Sequence, residues 1–357
     1  MALLSPQIDD GERAIREQAL GLQVQLGAAR LYRNGYGADE TKAAFEHALV
    51  LADKIGETPL RFPVLYGLWT NKYVRAQHAD ALTLAQSLLE LVESGTDSAP
   101  VMLANRIIGV SLSLGGRFVE AQHYLSRAHL LFDPVTHQGL ANRFGQDLGV
   151  ANSCYMALIL WALGESRQAS TLVLEAERAA LVTGHINTIC YMHCHVSFLA
   201  LLARDEALLK RHIVEMSAIS TEHKLVLWQN HASIMQALIV AGAGDALGID
   251  QFMLADTCYT SSKSHVFLTL LRIEASYRAL ALELVEKART LADMARAMID
   301  QTGETYVLAE LYRLEGALAL KSENQHDAEV SLKEAVAVAR KQGSKSLELR
   351  AALDLAN

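Results

Sequence analysis

The sequence predicts an all-α fold, a right-handed superhelical solenoid of about eight antiparallel helix pairs with a period near 40 residues, forming a single domain over 1–357. Three observations predict it. The first is a recurrence of small residues: Ala81, Ala121, Ala169, Gly248, Ala288 and Ala328 open similar segments, separated by 40, 48, 79, 40 and 40 residues, where 79 is two units. Seven residues after five of these comes a second small residue, at Ala128, Ala176, Ala255, Ala295 and Ala335. Seven residues is two helical turns, so both lie on one stripe, and short side chains there let a neighbouring helix approach closely. Gly109 and Gly316 lie twelve residues before Ala121 and Ala328, in the preceding helix, as the other half of that contact. The second observation is linker chemistry. KIGET (54–58), ESGTDS (93–98), VTGHIN (182–187), QTGET (301–305) and KQGSKS (341–346) each place a Gly after a helical run and a Thr, Ser or Asn shortly after it. Such a Gly suits a left-handed helix C-terminus, and the following hydroxyl or amide suits the next N-cap. The third is composition: Pro occurs only 5 times, never after Pro134, and strong helix formers fill the rest.

These signals divide the chain in order. The first pair, 12–34/38–54, ends at KIGET, and the second, 60–76/79–94, at ESGTDS. The third, 99–114/117–131, turns at Gly116 and runs into the segment FDPVTHQGLANRFGQDLGV, an insertion at about 132–150 that accounts for the 48-residue gap and is expected to project from one face. The fourth, 147–163/166–182, ends at VTGHIN; the fifth, 186–203/206–222, has no such marker and is degenerate. The sixth, 225–241/245–260, turns within ALIVAGAGDALG (237–248). That segment has a GxGxxxG spacing, but it falls where the period requires a turn and follows a helical pattern, so it reads as an inter-helix turn and not a dinucleotide loop. The seventh, 263–280/283–301, lacks a turn glycine, which leaves its boundary weakly marked. The eighth, 305–321/325–341, is bounded by QTGET and KQGSKS, and a last helix from 344 is still amphipathic at Asn357, as expected for a fragment of a larger chain.

Repeat three, ANRIIGVSLSLGGRFVEAQHYLSRAHLLFDP, resembles the tetratricopeptide consensus: Gly109 takes the mid-helix glycine place, Gly116 the turn, Ala121 and Ala128 the small positions of the second helix, and Pro134 lies beside the terminal proline place. Four further segments resemble the C-terminal helical region of bacterial multidomain signalling proteins that join a class III adenylate/guanylate cyclase domain to a predicted AAA-type ATPase. They are FPVLYGLWTNKYVRAQ (62–77), LLFDPVTHQGLANRFGQDLGVAN (130–152), AELYRLEGALAL (309–320) and KQGSKSLELRAA (341–352). The likeness runs through nearly the whole chain, with FGQDLGV standing where the family reads closer to YGQDPGV. It implies a regulatory, protein-interaction region whose catalytic neighbours do the nucleotide chemistry.

The residues themselves exclude several functions. A net charge of −8, with 32 basic residues scattered among 40 acidic ones, argues against a nucleic-acid surface. No GxxxxGK[ST] loop, no strand-borne aspartate pair and no GxSxG elbow is present, so this chain is expected to be no enzyme and to need no cofactor. The N-terminus MALLSPQIDDGER lacks a signal-peptide pattern, and the chain is read as cytoplasmic, without a membrane span. The four Cys read as small buried hydrophobes. Cys190, His193 and Cys194 in ICYMHCHV share a helical face and form a weak metal candidate, needing a fourth ligand such as His231 or Cys154; packed core residues explain them equally well.

The concave groove is the expected functional surface, because the first helices of stacked pairs line it. Tyr66, Tyr73, Arg106, Ser113 and Arg313 are predicted to point inward, with Arg143, Gln146, Asp147 and Asn152 of the insertion reaching over the mouth. Aromatic and Arg side chains are the usual anchors of interfaces. The expected partner is a protein, a peptide or flanking domains of the parent chain; the alternative is a metabolite bound inside the superhelix. A homodimer through the last helix, SLELRAALDLA, is a further expectation.

Overall fold

In the computed structural model, which describes residues 10–56, 58–93, 95, 97–137 and 139–357, helix follows helix without a strand among the described residues. The pairs are α1 (Asp10–Asn34) with α2 (Asp39–Ile55), α3 (Arg61–Val74) with α4 (His78–Val92), and α5 (Ser98–Leu114) with α6 (Phe118–Leu131). A short α7 (Leu140–Phe144) occupies the insertion. Then come α8 (Leu148–Ala162) with α9 (Ser166–Thr183), α10 (Ile186–Ala203) with α11 (Glu206–Glu222), and α12 (Val226–Gly242) with α13 (Leu247–Ser261). The chain ends with α14 (Leu268–Ala281) and α15 (Val285–Thr302), a 3-10 turn at Thr305–Val307, α16 (Leu308–Lys321) with α17 (Gln325–Gln342), and α18 (Lys345–Ala356).

First helices pack on one another, α8 on α10, α10 on α12, α12 on α14 and α14 on α16, as an inner layer; second helices form the outer one. Burial follows this division. Outer α6 buries one stripe, Phe118, Ala121, Leu125 and Ala128, spaced as a single helical face. Inner α8, wedged between neighbours on both sides, buries every residue but Gly149 and Ser153. The same position explains α10. It is 18 residues long with a mean hydropathy of 1.4, long and apolar enough to cross a membrane, which corrects the expectation that no such segment exists; 78% of it is buried within the fold.

The small-residue stripe sits where helices touch. A Cβ at Gly109 would meet the Leu125 side chain at 2.6 Å and the Ala121 carbonyl at 3.1 Å, and one at Gly248 would meet the Ala241 nitrogen at 2.3 Å. Ala121, Ala128, Ala169, Ala176, Ala288, Ala295, Ala328 and Ala335 are buried; Ala255 is only half-buried. Of the linker glycines, Gly56, Gly184, Gly303 and Gly343 take positive φ. At two of these linkers the expected hydroxyl or amide cap is replaced, by Asp97 at α5 and His185 at α10; elsewhere Asp147, Asp205 and Asn324 cap α8, α11 and α17. Ser344 makes no cap, because its Oγ donates to the distant Ala162 carbonyl at 2.9 Å.

That bond belongs to one of two seams at which the array closes on itself. At the first, the loop after α13 meets the start of the chain. His265 and Val266 amides donate to the Val74 carbonyl at 2.8 and 3.2 Å, and Asp39 pairs with both Arg75 and Lys263. Gly37 allows the approach, since a Cβ there would lie 2.4 Å from the Lys263 carbonyl oxygen. At the second seam, Ser344 and Ser346 donate to the Ala162 and Trp161 carbonyls, and the Arg350 guanidinium lies 5.1 Å from the Trp161 ring. The expected concave face is therefore bridged by contacts at two places.

Candidate functional site

A cavity with about 70 Å³ of free volume lies where α3, α5, α8, α10, α12 and the Ser264–Phe267 loop converge. Two walls are aromatic ladders at helical spacing. On α3, Tyr66, Trp69 and Tyr73 stand at i, i+3 and i+7, with Tyr66 stacked on Trp69 (5.9 Å between centroids) and Trp69 on Tyr73 (5.1 Å). On α10, Tyr191 stacks on His195 at 3.9 Å, and Phe198, one turn further, stacks on Phe267 at 4.1 Å. Phe267 holds a left-handed backbone, φ 65°, that costs a non-glycine residue about 1 kcal/mol. It is kept there by the Glu304 carboxylate, which accepts from the Phe267 amide at 3.0 Å and from Thr269 Oγ1 at 2.5 Å.

Polar atoms inside are few and specific. The hydroxyls of Tyr73 and Tyr155 bond to each other. Tyr66 Oη accepts from Arg106 Nη2 and from Gln146 Nε2, both at 3.3 Å. Trp69 Nε1 donates to Ser111 Oγ at 3.2 Å, and Trp228 Nε1 to Asn187 Oδ1 at 2.6 Å. Burial holds His195 down to about 3 and His231 to about 4, so both are neutral at physiological pH. His195 Nδ1 lies 2.9 Å from the Tyr191 carbonyl, which can only accept, so Nδ1 carries the proton and Nε2, which has no partner, presents a bare lone pair.

Tyr36, Val74, Leu227, Trp228 and Ser264 are shared with a second, larger hollow of about 330 Å³, which also takes in Arg33, Asn187, Lys224 and Asn230. This is the vestibule. Tyr36 and Leu227, both half-buried, line both spaces.

Of the predicted inner residues, the structure brings Tyr66, Tyr73, Arg106 and Gln146 together in the cavity. The insertion is exposed at Asp133–Thr136, but its end packs inward: Phe144 lies edge-on against Tyr66 (5.2 Å) and Phe62 (6.4 Å), and Gln146 is buried in the cavity wall. Asp147 does not reach over a mouth; its carboxylate accepts from the Val150 amide at 2.9 Å and caps α8. Asn152 donates to the Leu125 carbonyl at 3.1 Å, a bond between helices. Ser113 donates back to the Val110 carbonyl and lines a separate, smaller void. Arg313 is committed to Glu310 and Asp354 in the C-terminal half. The side chain of Arg143 lies outside the described residues.

Cys190, His193 and Cys194 do not form a ligand set, and among the described residues no group of three or more His, Cys, Asp or Glu is arranged to hold a metal ion. His193 Nδ1 instead meets His212 Nδ1 at 2.9 Å, while burial pushes the Cys190 thiol up to about 12 and keeps it protonated. The segment 237–248 is the end of α12, a turn and the start of α13. Sequence reasoning missed Trp69, Tyr155, Tyr191, His195, Phe198, Trp228 and Phe267. The spacing of Tyr191, His195 and Phe198 at i, i+4 and i+7 was the available signal, and Cys194 lines the same cavity beside them.

No protein-family model matches the chain, and no curated protein matches it. Among solved structures, the crystal structure of a Rap protein complexed with competence and sporulation factor is similar, with a TM-score of 0.60 over 94% of this chain and 99% of that chain at 12% sequence identity. At that identity the likeness carries the fold alone, and the fold is an all-α helical-repeat solenoid.

Proposed function

We propose that this chain is an interaction module that takes a short peptide, or an extended segment of a partner protein, on the inner face of its superhelix. The aromatic cavity is the anchor pocket and the vestibule its mouth. The observation that carries the reading is the cavity's size and chemistry. About 70 Å³ of free volume is much less than the 300–1,000 Å³ typical of metabolite pockets, but it suits one anchoring side chain or chain end, with the rest of a peptide lying in the 330 Å³ vestibule. Tyr, Trp and Arg are also the residues that dominate binding hot spots. The Rap protein's structure with competence and sporulation factor supports a binding role for such a solenoid.

The likeness of four segments to helical regions of cyclase/ATPase signalling proteins supports a regulatory setting, with flanking catalytic domains of such a protein as natural partners. A second reading, a small-molecule sensor, draws on one observation, that the inner face is bridged at two seams. Thermal-shift measurements on the full chain separate the two. Stabilisation by peptides or by flanking domains, and not by a metabolite panel, is the expected result; stabilisation by metabolites alone would remove the interaction reading.

A further inference from the structure

Resting on the reading above, one group in the cavity specifies what the ligand must present. Arg106 is 1% exposed at the centre of α5, and its guanidinium has one partner, Tyr66 Oη at 3.3 Å; its Nε has none. Among the described residues no carboxylate lies within ion-pair distance of it. The other long buried Arg side chains of the inner layer are matched: Arg272 by Asp256 at 2.8 Å, and Arg313 by Glu310 at 2.8 Å. Nor do the surrounding phenols supply charge, since burial pushes the hydroxyls of Tyr73, Tyr155 and Tyr191 up and keeps them protonated. A buried charge without a counter-ion is among the costliest arrangements a fold can keep.

The surroundings repeat the asymmetry. Although the chain has 40 acidic and 32 basic residues, none of the residues lining the cavity or the vestibule is acidic, while Arg106, Arg33 and Lys224 are basic. Against the overall charge of −8, this is a local inversion of sign, and it leads from the mouth to Arg106.

The geometry points to a ligand that delivers a carboxylate to Arg106, with the C-terminal carboxylate of a peptide as its source, entering through the vestibule. A guanidinium recognises a carboxylate with its planar fork of N–H donors, of which Nε is one edge, and does so with little loss of its own freedom because it is already fixed. Aromatic walls exclude water from the pair and strengthen it.

The test uses the full chain and a random hexapeptide library made once as free acids and once as C-terminal amides, with affinity selection read by mass spectrometry. We expect the free acids to be retained at least about tenfold over the amides by the wild-type chain, and this preference to vanish in Arg106→Gln. Equal retention of acids and amides would overturn the carboxylate inference and leave the interaction module standing. If neither library is retained but 3-phenylpropionate raises the melting temperature of the wild type and not of Arg106→Gln, the carboxylate stands, its source is a small molecule, and the peptide reading falls. No response to any of the three probes removes both. An independent measurement guards against a merely structural Arg106: the ligand-free Arg106→Met chain is expected to melt no lower than wild type, because an uncompensated charge has been removed. A fall of several degrees would show that Arg106 holds the core together, and would sink the proposal.

Discussion

Gly248, on a second helix, and Gly316, on a first helix, sit on opposite sides of the contact within a pair, and their neighbours differ in hardness. At Gly248 the obstacle is backbone, the Ala241 nitrogen at 2.3 Å and the Ala237 carbonyl at 2.7 Å from an added Cβ; at Gly316 it is the Leu332 side chain at 3.0 Å. Backbone cannot move without separating α12 from α13, whereas a leucine can shift by tenths of an ångström. Glycine to alanine inside a helix gains about 1 kcal/mol of propensity, against which overpacking costs about 1–3 kcal/mol. Gly248→Ala is therefore expected to destabilise by about 2 kcal/mol, and Gly316→Ala to lie within about 1 kcal/mol of wild type, as measured by urea denaturation. Equal losses would show that the two contacts are equally rigid. The stripe was readable in the sequence because a missing side chain leaves a periodic mark. Individual roles were less so: Asp147 and Asn152 carry polar groups that suit a binding site, but a cap and an inter-helix bond use the same groups, and only coordinates tell these apart.

At the level of the helix pair, each first-to-second helix turn needs a residue of positive φ. Gly35, Gly116, Gly164 and Gly244 supply it in four pairs, while Ala76, Arg204, Glu283 and Glu323 adopt φ of 56–61° in the other four. This is why the seventh pair turns without a glycine, and why its boundaries were hard to read: Glu283 takes the strained conformation instead. A non-glycine residue there costs about 1–2 kcal/mol, part of which glycine's greater freedom in the unfolded chain gives back. Glu323 is exposed, so Glu323→Gly is expected to stabilise by about 0.5–1 kcal/mol, visible as a higher midpoint in urea; a lower midpoint would mean that the turn is not strained. The start of α14 departs most from the sequence pattern, beginning at Leu268 and not near 263, because Lys263–Phe267 is spent on the seam and the cavity wall. No local signal marks that loop, since its partners lie some 190 residues away in α3 or on the far side of α15.

For the whole molecule, buried titratable groups tie stability to pH in opposite directions. Burial lowers His78, His193 and His231 to about 4 and His195 to about 3, so between those values and their ordinary 6.5 the unfolded chain holds protons that the folded chain does not. Stability is thus present above about pH 6.5 and is lost as pH falls below it. Glu304 works the other way. Burial raises it from 4.5 to about 7, against the lowering effect of its bonds from Thr269 and Phe267, so the folded chain keeps a proton between those values and gains stability as pH falls through that window. Its neighbour His78, 3.9 Å away, stays neutral there, so the two do not form a full ion pair. The wild type is expected to lose stability on acidification, and Glu304→Gln to lose it more steeply between pH 7 and 4.5, the two curves diverging by up to roughly 3 kcal/mol. Parallel curves would show that Glu304 is ionised throughout.

The two seams bear on how such a chain can evolve. An open stack tolerates gain or loss of a unit at little cost, since each unit touches only its neighbours. Here Val74 must meet His265, and Trp161 must meet Ser346, like the two ends of a hoop brought together by a fixed number of staves. Removing one 40-residue stave would leave the ends misaligned by a full unit, so the number of helical hairpins between the seams is fixed by geometry and not merely inherited.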